Sequence, residues 1–407
     1  MSAVPKVGRI LSGMRPTGRL HLGNYVGALE NWVRLQDEGW TNFHMVADWH
    51  MLTTGSEDTS QLQSHTWDMV LDWLAAGLDP AKSVIFVQSA VKEHAELHLL
   101  FSMLVSKGRL ERIPTLKEQI RDLGMDEQTI SYGHLGYSVL QAADILLYRP
   151  THVPVGDDQV PHVEITREIA RRFNHIYGRE PDFEAKAEKA TKSLGGRMAT
   201  QYRQLRREFQ QAGSQGALEK ARALVLGNNR ITVADRERLL GWLEGGGVAV
   251  LPEPQVLLTK SPKVPGTDGR KMSKSYGNTI GLREDPDNVA KKLKTMQTDP
   301  ARVRRSDPGD PDKCPVFDLH RIYSDEATQA WAAHGCRTAS IGCLECKKPL
   351  IDKVVEFVEG MRRRAQEFED NPELVQRILV EGGEKARAAA RDTMDEVRRV
   401  MHLRGKL

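Results

Sequence analysis

The chain has 407 residues, 40% of them hydrophobic and 28% charged, which predicts a globular protein of two or three domains. No run of 18 uncharged apolar residues occurs and the first residues lack a signal-peptide core, so we expect a cytoplasmic protein without a membrane segment. The formal net charge of +3 permits an acidic partner such as nucleic acid without requiring one.

Short apolar runs alternate with amphipathic stretches over residues 8–165. GRILSG, NFHMVADWHM, SVIFVQS and HVPVGDD are typical of buried strands, whereas LQSHTWDMVLDWLAAGL and ELHLLFSMLV carry apolar residues at helical spacing. Strands that alternate with helices predict an α/β fold with a doubly wound, Rossmann-like parallel sheet. In such a sheet, ligands bind at the carboxyl ends of the strands.

The sequence changes character twice after this region. Residues 181–250 indicate a charged helical insertion that ends in GGG at 245–247. Strand periodicity returns at VAVLPEPQVLLT, so residues 251–284 are predicted to complete the sheet domain that residues 1–180 begin. From residue 285 to 407 the pattern is helical, with apolar residues at i, i+3, i+4 and i+7 in IDKVVEFVEGMRRRAQEF, which predicts a separate all-helical domain.

The motif HLGN follows the first strand and opens an amphipathic helix. Unsatisfied amides and the positive end of the helix dipole favour an anion at such a position. His21 could hydrogen-bond a phosphate oxygen, Gly23 would let a flat base approach the backbone, and Asn24 offers a neutral donor. A single motif of this kind more often only caps and packs a helix, and it matches neither a Walker loop nor G-x-G-x-x-G.

KMSKSYGN, residues 271–278, places two lysines three positions apart in a segment rich in turn formers. Holding a lysine in one conformation costs rotamer entropy, so such a pair makes most sense if a polyanion orders it. Taken alone, K-x-x-K more often marks a solvated loop. The ordered pair of HLGN and KMSKS, however, resembles the class I aminoacyl-tRNA synthetases, whose signatures are His-Ile-Gly-His and Lys-Met-Ser-Lys-Ser.

This resemblance implies an ATP site closed by a mobile loop. Lys271 and Lys274 would clamp the leaving pyrophosphate, His21 and Asn24 would act from the opposite side, and Mg²⁺ would bridge the phosphates. The remaining loop residues expected at ATP are Met272, Ser273 and Ser275.

Residues 136–174 contain the positions that indicate which amino acid is the substrate. Asp144 lies in an otherwise apolar helix, where an unpaired carboxylate would cost several kcal/mol. It therefore caps, pairs with a cation, or accepts a hydrogen bond from a ring donor of the substrate. A buried acceptor of the last kind rejects analogues that lack the donor by roughly 10⁴ to 10⁵.

Together with HLGN, ADWHMLTT and GRKMSKSYGN, this segment resembles the bacterial tryptophanyl-tRNA synthetases over about residues 8–178, 251–300 and much of the helical tail. The resemblance implies that Asp144 receives the indole N–H, that His50 lines the same pocket and that Gln159 lies near the substrate. It also implies two sets of ATP-binding residues, namely Gly156, Asp157 and Asp158 at adenosine and Arg15, Pro16 and Thr17 before HLGN. The partners it implies are tRNA for tryptophan, ATP, L-tryptophan and a second copy of the chain, and it makes residues 285–407 an anticodon-binding domain.

Two features depart from that family. Many relatives carry methionine where this chain has Gln141, a substrate-site position, and Tyr137, Gln141 and Asp144 also match the Tyr-x-x-x-Gln-x-x-Asp pattern of tyrosyl-tRNA synthetases. VPVGDDQ favours tryptophan. The insertion at 181–250 is longer than usual. Alternative functions are a tyrosine–tRNA ligase, a nucleotidylyltransferase that does not act on tRNA, which should lack so long a helical domain, and a paralogue without turnover.

Four cysteines fall within 33 positions, separated by 21, 6 and 2 residues: Cys314, Cys336, Cys343 and Cys346. Disulfides are not expected in a cytoplasmic protein, so the cysteines are either small buried hydrophobes or metal ligands. The CLEC pair has chelate spacing, and four thiolates suit either zinc or an iron-sulfur cluster. The resemblance favours a four-iron four-sulfur (4Fe–4S) cluster, because a subset of tryptophanyl-tRNA synthetases carries one on a similar pattern.

Overall fold

The computed structural model describes residues 8–113, 116–117, 120, 130–156, 159–178, 182–228, 230–245, 247–258 and 263–403. The predicted ATP residues Asp157 and Asp158 lie outside these ranges. One five-stranded sheet has the order β3-β2-β1-β4-β5, and β1, β2 and β3 pair in parallel. The strands are β1 Arg9–Met14, β2 Thr41–Val46, β3 Ser83–Val87, β4 His152–Val155 and β5 Gln255–Leu258.

Helices follow most strands, as a doubly wound sheet requires. The helices in the first half of the chain are α1 Glu30–Asp37, α2 Asp48–Gly55, α3 Leu62–Ala76, α4 Glu93–Ser102, α5 Lys107–Leu110, α6 Tyr132–Leu135, α7 Tyr137–Leu147 and α8 Val160–Tyr177. Those in the second half are α9 Phe183–Ser193, α10 Gly196–Ala212, α11 Gln215–Leu226, α12 Val233–Leu243, α13 Pro286–Thr295, α14 Pro315–Tyr323, α15 Glu326–Arg337, α16 Cys343–Glu369 and α17 Pro372–Val400.

The predicted fold class is confirmed, with one local correction. NFHMVADWHM is not a strand throughout, because β2 ends at Val46 and α2 begins at Asp48. The Asp48 carboxylate accepts the N–H groups of Trp49 and Ser89 at 3.0 Å each. If the strands continued, these backbone donors would bond to a neighbouring strand, and the carboxylate takes that place. His50 therefore lies on a helix and not on a strand.

The chain divides into two compact units. The first comprises residues up to 90, residues 154–157 and residues 257–384. Its apolar core packs aromatic side chains edge to face, with the rings of Trp32 and Trp73 at 5.3 Å and those of Tyr25 and Phe357 at 4.8 Å. Arg364 of α16 also donates to the carbonyl of Ala75 in α3. Helix α16 is therefore an integral part of this core.

The second unit comprises residues 91–153, 158–256 and 385–407. Within it, α9 to α12 enclose an apolar core of their own, in which the buried Tyr202 hydroxyl donates to the carbonyl of Leu239 at 2.6 Å. The backbone of Gly247 passes so close to α12 that a Cβ on Gly241 would lie 1.6 Å from its oxygen. Only glycine is compatible with this approach. Among the described helices, none combines the length and apolar character needed to span a bilayer.

Candidate active site

The HLGN segment forms a closed turn after β1. The backbone N–H of His21 donates to Asn24 Oδ1 at 3.1 Å, and the N–H of Asn24 donates to the His21 carbonyl at 2.8 Å. A single α-helical turn at Leu22–Asn24 then passes into a π-helix at Tyr25–Leu29 before α1 begins. Asn24 thus uses its side-chain oxygen to close the turn, so its amide nitrogen is the part that can donate to a ligand.

Lys274 of the KMSKS segment lies against the loop that follows β1. Its Nζ donates to the carbonyls of Thr17 at 2.8 Å and Gly18 at 3.0 Å and to the Thr17 hydroxyl at 3.2 Å. Partial burial lowers the pKa of Lys274, against the opposing effect of Asp72 and Asp68. The two predicted motifs therefore meet, and the cation rests on neutral oxygens that a phosphate could replace.

Asn278 holds the KMSKS segment in shape. Its side chain accepts the N–H of Ser273 at 2.8 Å and donates to Asp268 at 2.7 Å and to the Lys271 carbonyl at 3.2 Å. The loop also has its own apolar anchor, since Met272 is buried. Asn278 was not a predicted site residue, although it ends the quoted motif.

The other loop positions lie at the surface or bond locally. The Lys271 side chain is exposed, and the Ser273 and Ser275 hydroxyls bond each other at 2.9 Å. Tyr276 stacks under Arg270, whose guanidinium carbon lies 4.1 Å from the ring centroid. The backbone of Lys271 pairs with Pro265 in an isolated β-bridge, so its side chain extends into solvent from an ordered position.

A cavity of about 340 Å³ opens between the two motifs. Thr17, His21 and Lys274 line it together with Gly281 and Arg283. His21 is mostly buried, and burial followed by the charge of Lys274 lowers its pKa to about 4. Its Nδ1 has no hydrogen-bond partner within the part of the chain that the structure describes. His21 is therefore a neutral hydrogen-bonding group at physiological pH.

A buried ion-pair network adjoins this cavity through Arg283. Arg283 Nε donates to Asp72 Oδ1 at 2.6 Å and its NH2 to Asp68 Oδ1 at 2.9 Å, while the other Asp72 oxygen accepts the backbone N–H of Leu20 at 2.6 Å. Burial raises the pKa of Asp72, and Arg283 and the Leu20 amide oppose this shift. The network joins the residue before His21 to the segment after KMSKS. Neither Asp72 nor Arg283 was predicted from the sequence, because no local pattern identifies the two residues as a pair.

The remaining predicted ATP residues in the loop after β1 are tied to α2. Arg15 donates to the Thr54 hydroxyl at 2.6 Å, and Pro16 is buried. A Cβ on Gly23 would meet the His21 ring at 3.0 Å and Met272 Cβ at 3.6 Å, so these side chains already favour glycine at this position. The approach of a base to Gly23 stays a prediction. Gly156 follows β4 directly.

Asp144 of α7 belongs to a buried hydrogen-bonded chain that includes His94 of α4 and Tyr148. Its Oδ1 lies 2.6 Å from His94 Nδ1, and His94 Nε2 lies 2.8 Å from the Tyr148 hydroxyl. Asp144 is 2% exposed, and burial followed by the charge of Asp144 raises the pKa of Tyr148 well above its usual range. Asp144 is thus a fixed acceptor within its unit, held by a histidine that the sequence analysis did not single out.

The other predicted substrate residues occupy helices near strand ends. His50 is 4% exposed on α2, directly after β2. Gln159 occupies the position before the first residue of α8, and its side chain makes no capping hydrogen bond to the described residues of that helix. Gln141 lies one turn before Asp144, and its buried Oε1 accepts no hydrogen bond from any residue in the described ranges. A buried amide oxygen without a donor is available to a ligand.

The four cysteines come together from three helices. Cys314 precedes α14, Cys336 lies near the end of α15, and Cys343 and Cys346 open α16. Burial and then the charges of the other three thiols raise the pKa of Cys346 to about 12. Arg302 donates to Cys336 Sγ at 3.9 Å. All four thiols are free, and among the described residues no three His, Cys, Asp or Glu side chains have the arrangement of a metal site.

Comparisons with known proteins find relatives along nearly the whole chain. The family described as tRNA synthetases class I (W and Y) matches residues 6–194 and 223–359, so the match is interrupted inside the helical insertion. The tryptophan–tRNA ligase of Ralstonia nicotianae is 56% identical, covering 97% of this chain and 98% of that one. That of Thermotoga maritima is 45% identical over 97% and 99%. The tryptophanyl-tRNA synthetase of Campylobacter jejuni, solved with ADP and tryptophan, has a TM-score of 0.70 at 27% identity, covering 97% and 99%.

Proposed function

The chain belongs to the class I tRNA synthetases for tryptophan and tyrosine and is a tryptophan–tRNA ligase, and from this premise we propose which of its residues carry out each step. The enzyme activates L-tryptophan with MgATP to tryptophanyl-adenylate and pyrophosphate, and then transfers tryptophan to its tRNA. The observation that carries the assignment of residues is the contact of Lys274 with the loop beside His21.

We propose that the cavity lined by His21 and Lys274 receives the triphosphate. Phosphoryl and nucleotidyl transfers need little covalent help from the protein, so positioning and charge neutralisation supply most of the rate. Lys274 would exchange its contacts with Thr17 and Gly18 for oxygens of the leaving pyrophosphate, and Lys271 would add a second cation as the loop closes. The positive charge is then most useful in the transition state, when negative charge builds on the bridging oxygen.

His21 has a different role in this proposal. With its pKa lowered to about 4, it stays neutral and contributes a hydrogen bond without a charge. Asn24 would donate its amide N–H from the same turn. The two residues would thus orient the phosphates while the lysines neutralise them.

For the amino acid, we propose that Asp144 accepts the indole N–H. The carboxylate is already desolvated and held by His94, so the substrate does not have to order it. Gln141 would supply a second polar contact, and His50 and Gln159 would complete the pocket. Phenylalanine lacks the ring donor and would leave Asp144 unsatisfied, which is the strongest form of rejection available to such a site.

The test is amino-acid-dependent exchange of pyrophosphate into ATP with each amino acid, followed by charging of total tRNA. Exchange should depend on tryptophan, and the charged species should be the tRNA for tryptophan. Equal or faster exchange with tyrosine would contradict tryptophan as the substrate and the role of Asp144 as acceptor of the indole N–H. Exchange without charging would indicate an enzyme that does not act on tRNA, and the absence of exchange with every amino acid would indicate a paralogue without turnover.

We also propose a function for each segment of the chain. Residues 1–180 and 251–284 would form the catalytic domain, 181–250 an insertion, and 285–407 the anticodon-binding domain of a cytoplasmic homodimer. Not every arginine of the tail would contact tRNA, since Arg302 is 8% exposed and donates to the carbonyls of Arg305 and Ile341. Exposed cations such as Arg304 are better placed for this role.

Finally, we propose that the four cysteines hold a 4Fe–4S cluster, with zinc as the alternative. The support is the chemistry of the donor set, because four free cysteines, the ligands that such clusters use, lie at or near the ends of α14, α15 and α16. When bound, the cluster would cross-link the starts of α14 and α16 to the end of α15. This role is structural or tRNA-contacting, not catalytic.

Metal analysis of anaerobically purified protein distinguishes the alternatives. Brown protein with iron and sulfide in near-equal amounts is the expected result, whereas colourless protein with one zinc per chain would replace the cluster by zinc. Protein without either metal would return the cysteines to the role of buried hydrophobes. Removal of the cluster should leave pyrophosphate exchange in place and lower tRNA charging.

A further inference from the structure

The second unit contains a cavity that none of the proposed synthetase residues lines. Its volume is about 440 Å³, within the range of roughly 300–1,000 Å³ that small-molecule sites occupy. It lies between α8, the insertion helices α11 and α12, and the segments that precede β4 and β5. The family match is interrupted at residues 195–222, and among the described residues that line the cavity Arg222 alone falls in that interruption.

One wall of the cavity is apolar and open to solvent. Leu226 at the end of α11 is 41% exposed, and Val233 at the start of α12 is 65% exposed. Leu240 lies two turns further along α12 and faces the same cavity. Large apolar side chains exposed together in a concave surface are typical of a binding site.

Two arginines supply polar, positively charged groups to the same cavity. Arg149 and Arg236 both line the cavity, and the Nε–H of each is buried without an acceptor among the described residues. Arg149 pairs with Glu396 at 3.0 Å and with Glu237 at 3.7 Å, whereas the hydrogen bond of Arg236 goes to the Asn228 carbonyl at 3.1 Å. A buried guanidinium donor without an acceptor is costly, and a ligand oxygen would satisfy it.

The charges of the lining favour an anion. Four arginines and three glutamates line the cavity, which leaves one positive charge when all are ionised. Burial, followed by a neighbouring carboxylate in each case, raises the pKa of Glu237 and Glu253 to about 7. Each is therefore partly protonated at neutral pH, so the positive charge of the lining is larger than the formal count.

We propose that this cavity is a second small-molecule site, which binds a flat apolar monoanion with its carboxylate at Arg149 and Arg236 and its body against Leu226, Val233 and Leu240. A monoanion fits better than a phosphate dianion, because only two buried donors of the lining lack an acceptor among the described residues, the Nε–H groups of Arg149 and Arg236. The other ends of the Arg149, Arg171 and Arg222 guanidiniums already pair with glutamates. The ligand would bridge α12 to the start of β4 and would stabilise this unit. The ligand would bind without being converted, in contrast to the substrates of the synthetase site.

The experiment measures binding of 2-naphthoate by calorimetry in the presence of saturating ATP and tryptophan, which occupy the synthetase site. Arg236→Met should weaken binding at least about tenfold, the effect expected from losing a charge-assisted hydrogen bond. Arg238→Met is the matched control, since Arg238 lies on the same helix, pairs with Asp235 at 2.9 Å and does not line the cavity. The control should bind 2-naphthoate as the wild type does.

Val233→Trp provides an independent variant, because it fills the open wall from an exposed position and should not disturb the core. It should abolish binding while tryptophan-dependent pyrophosphate exchange continues at the wild-type rate. The proposal is overturned if wild-type protein does not bind 2-naphthoate, or if neither variant weakens binding. Equal binding of the neutral 2-naphthamide would overturn the assignment of an anion.

Discussion

The sharpest prediction concerns Arg283, which holds the base of the ATP cavity. In Arg283→Met, Asp72 would keep its buried carboxylate without the counter-charge, since the two side chains are 0% and 3% exposed. Breaking a buried pair on one side costs about 3–5 kcal/mol of unfolding free energy, most of it the penalty of the remaining charge. Because Asp72 also fixes the amide of Leu20 beside His21, we expect the KM for ATP to rise more than the KM for tryptophan.

The assay is urea denaturation of the variant beside Arg19→Met, a matched control that removes an exposed cation from Asp68 in the same network. Arg19 is 62% exposed, so its loss should cost about 0–1 kcal/mol. In the double variant Asp72→Asn, Arg283→Met the uncompensated charge is gone, and most of the lost stability should return. A loss below about 1 kcal/mol in Arg283→Met, or a double variant no more stable than the single one, would refute the reasoning.

Three further predictions address separate residues. Lys274→Ala should raise the free-energy barrier of adenylation by a few kcal/mol, while tryptophan binding, measured by fluorescence, stays nearly intact. A normal adenylation rate together with a loss of folding would instead show that the loop has a structural role. Asp144→Ala should cost roughly 2–5 kcal/mol in tryptophan affinity and reduce discrimination against phenylalanine in pyrophosphate exchange, and unchanged discrimination would remove Asp144 from its role. Glu237 has a native pKa of about 7 against an ordinary value of 4.5, so the folded state binds the extra proton and stability is lost as pH rises between these values. Glu237→Gln should flatten that part of the melting-temperature profile, and a slope equal to that of the wild type would contradict this account.

The sequence alone determined the elements and the chemical class of the protein. Buried runs at strand length and apolar spacing at helical period are local properties, so β1 to β4 and the amphipathic helices could be located without tertiary information. The ordered motifs around His21 and Lys274 indicated an ATP-dependent synthetase through their resemblance to the class I family, because each motif is a run of adjacent residues that can be recognised without tertiary information. The limit of β2 was wrong for the same reason, since Asp48 ends the strand by bonding Ser89, 41 residues away.

How these local pieces act on one another depends on contacts between residues that are far apart in sequence. Asp72 and Arg283 are separated by 211 positions and Lys274 and Thr17 by 257, and no local pattern predicts that such residues share one desolvated space. The neutrality of His21 follows from burial and from Lys274, both of which exist only once the chain has folded. The buried Nε–H groups of Arg149 and Arg236 are likewise not apparent in sequence, since a polar atom indicates a ligand only where folding has removed that atom from water and left it without a partner.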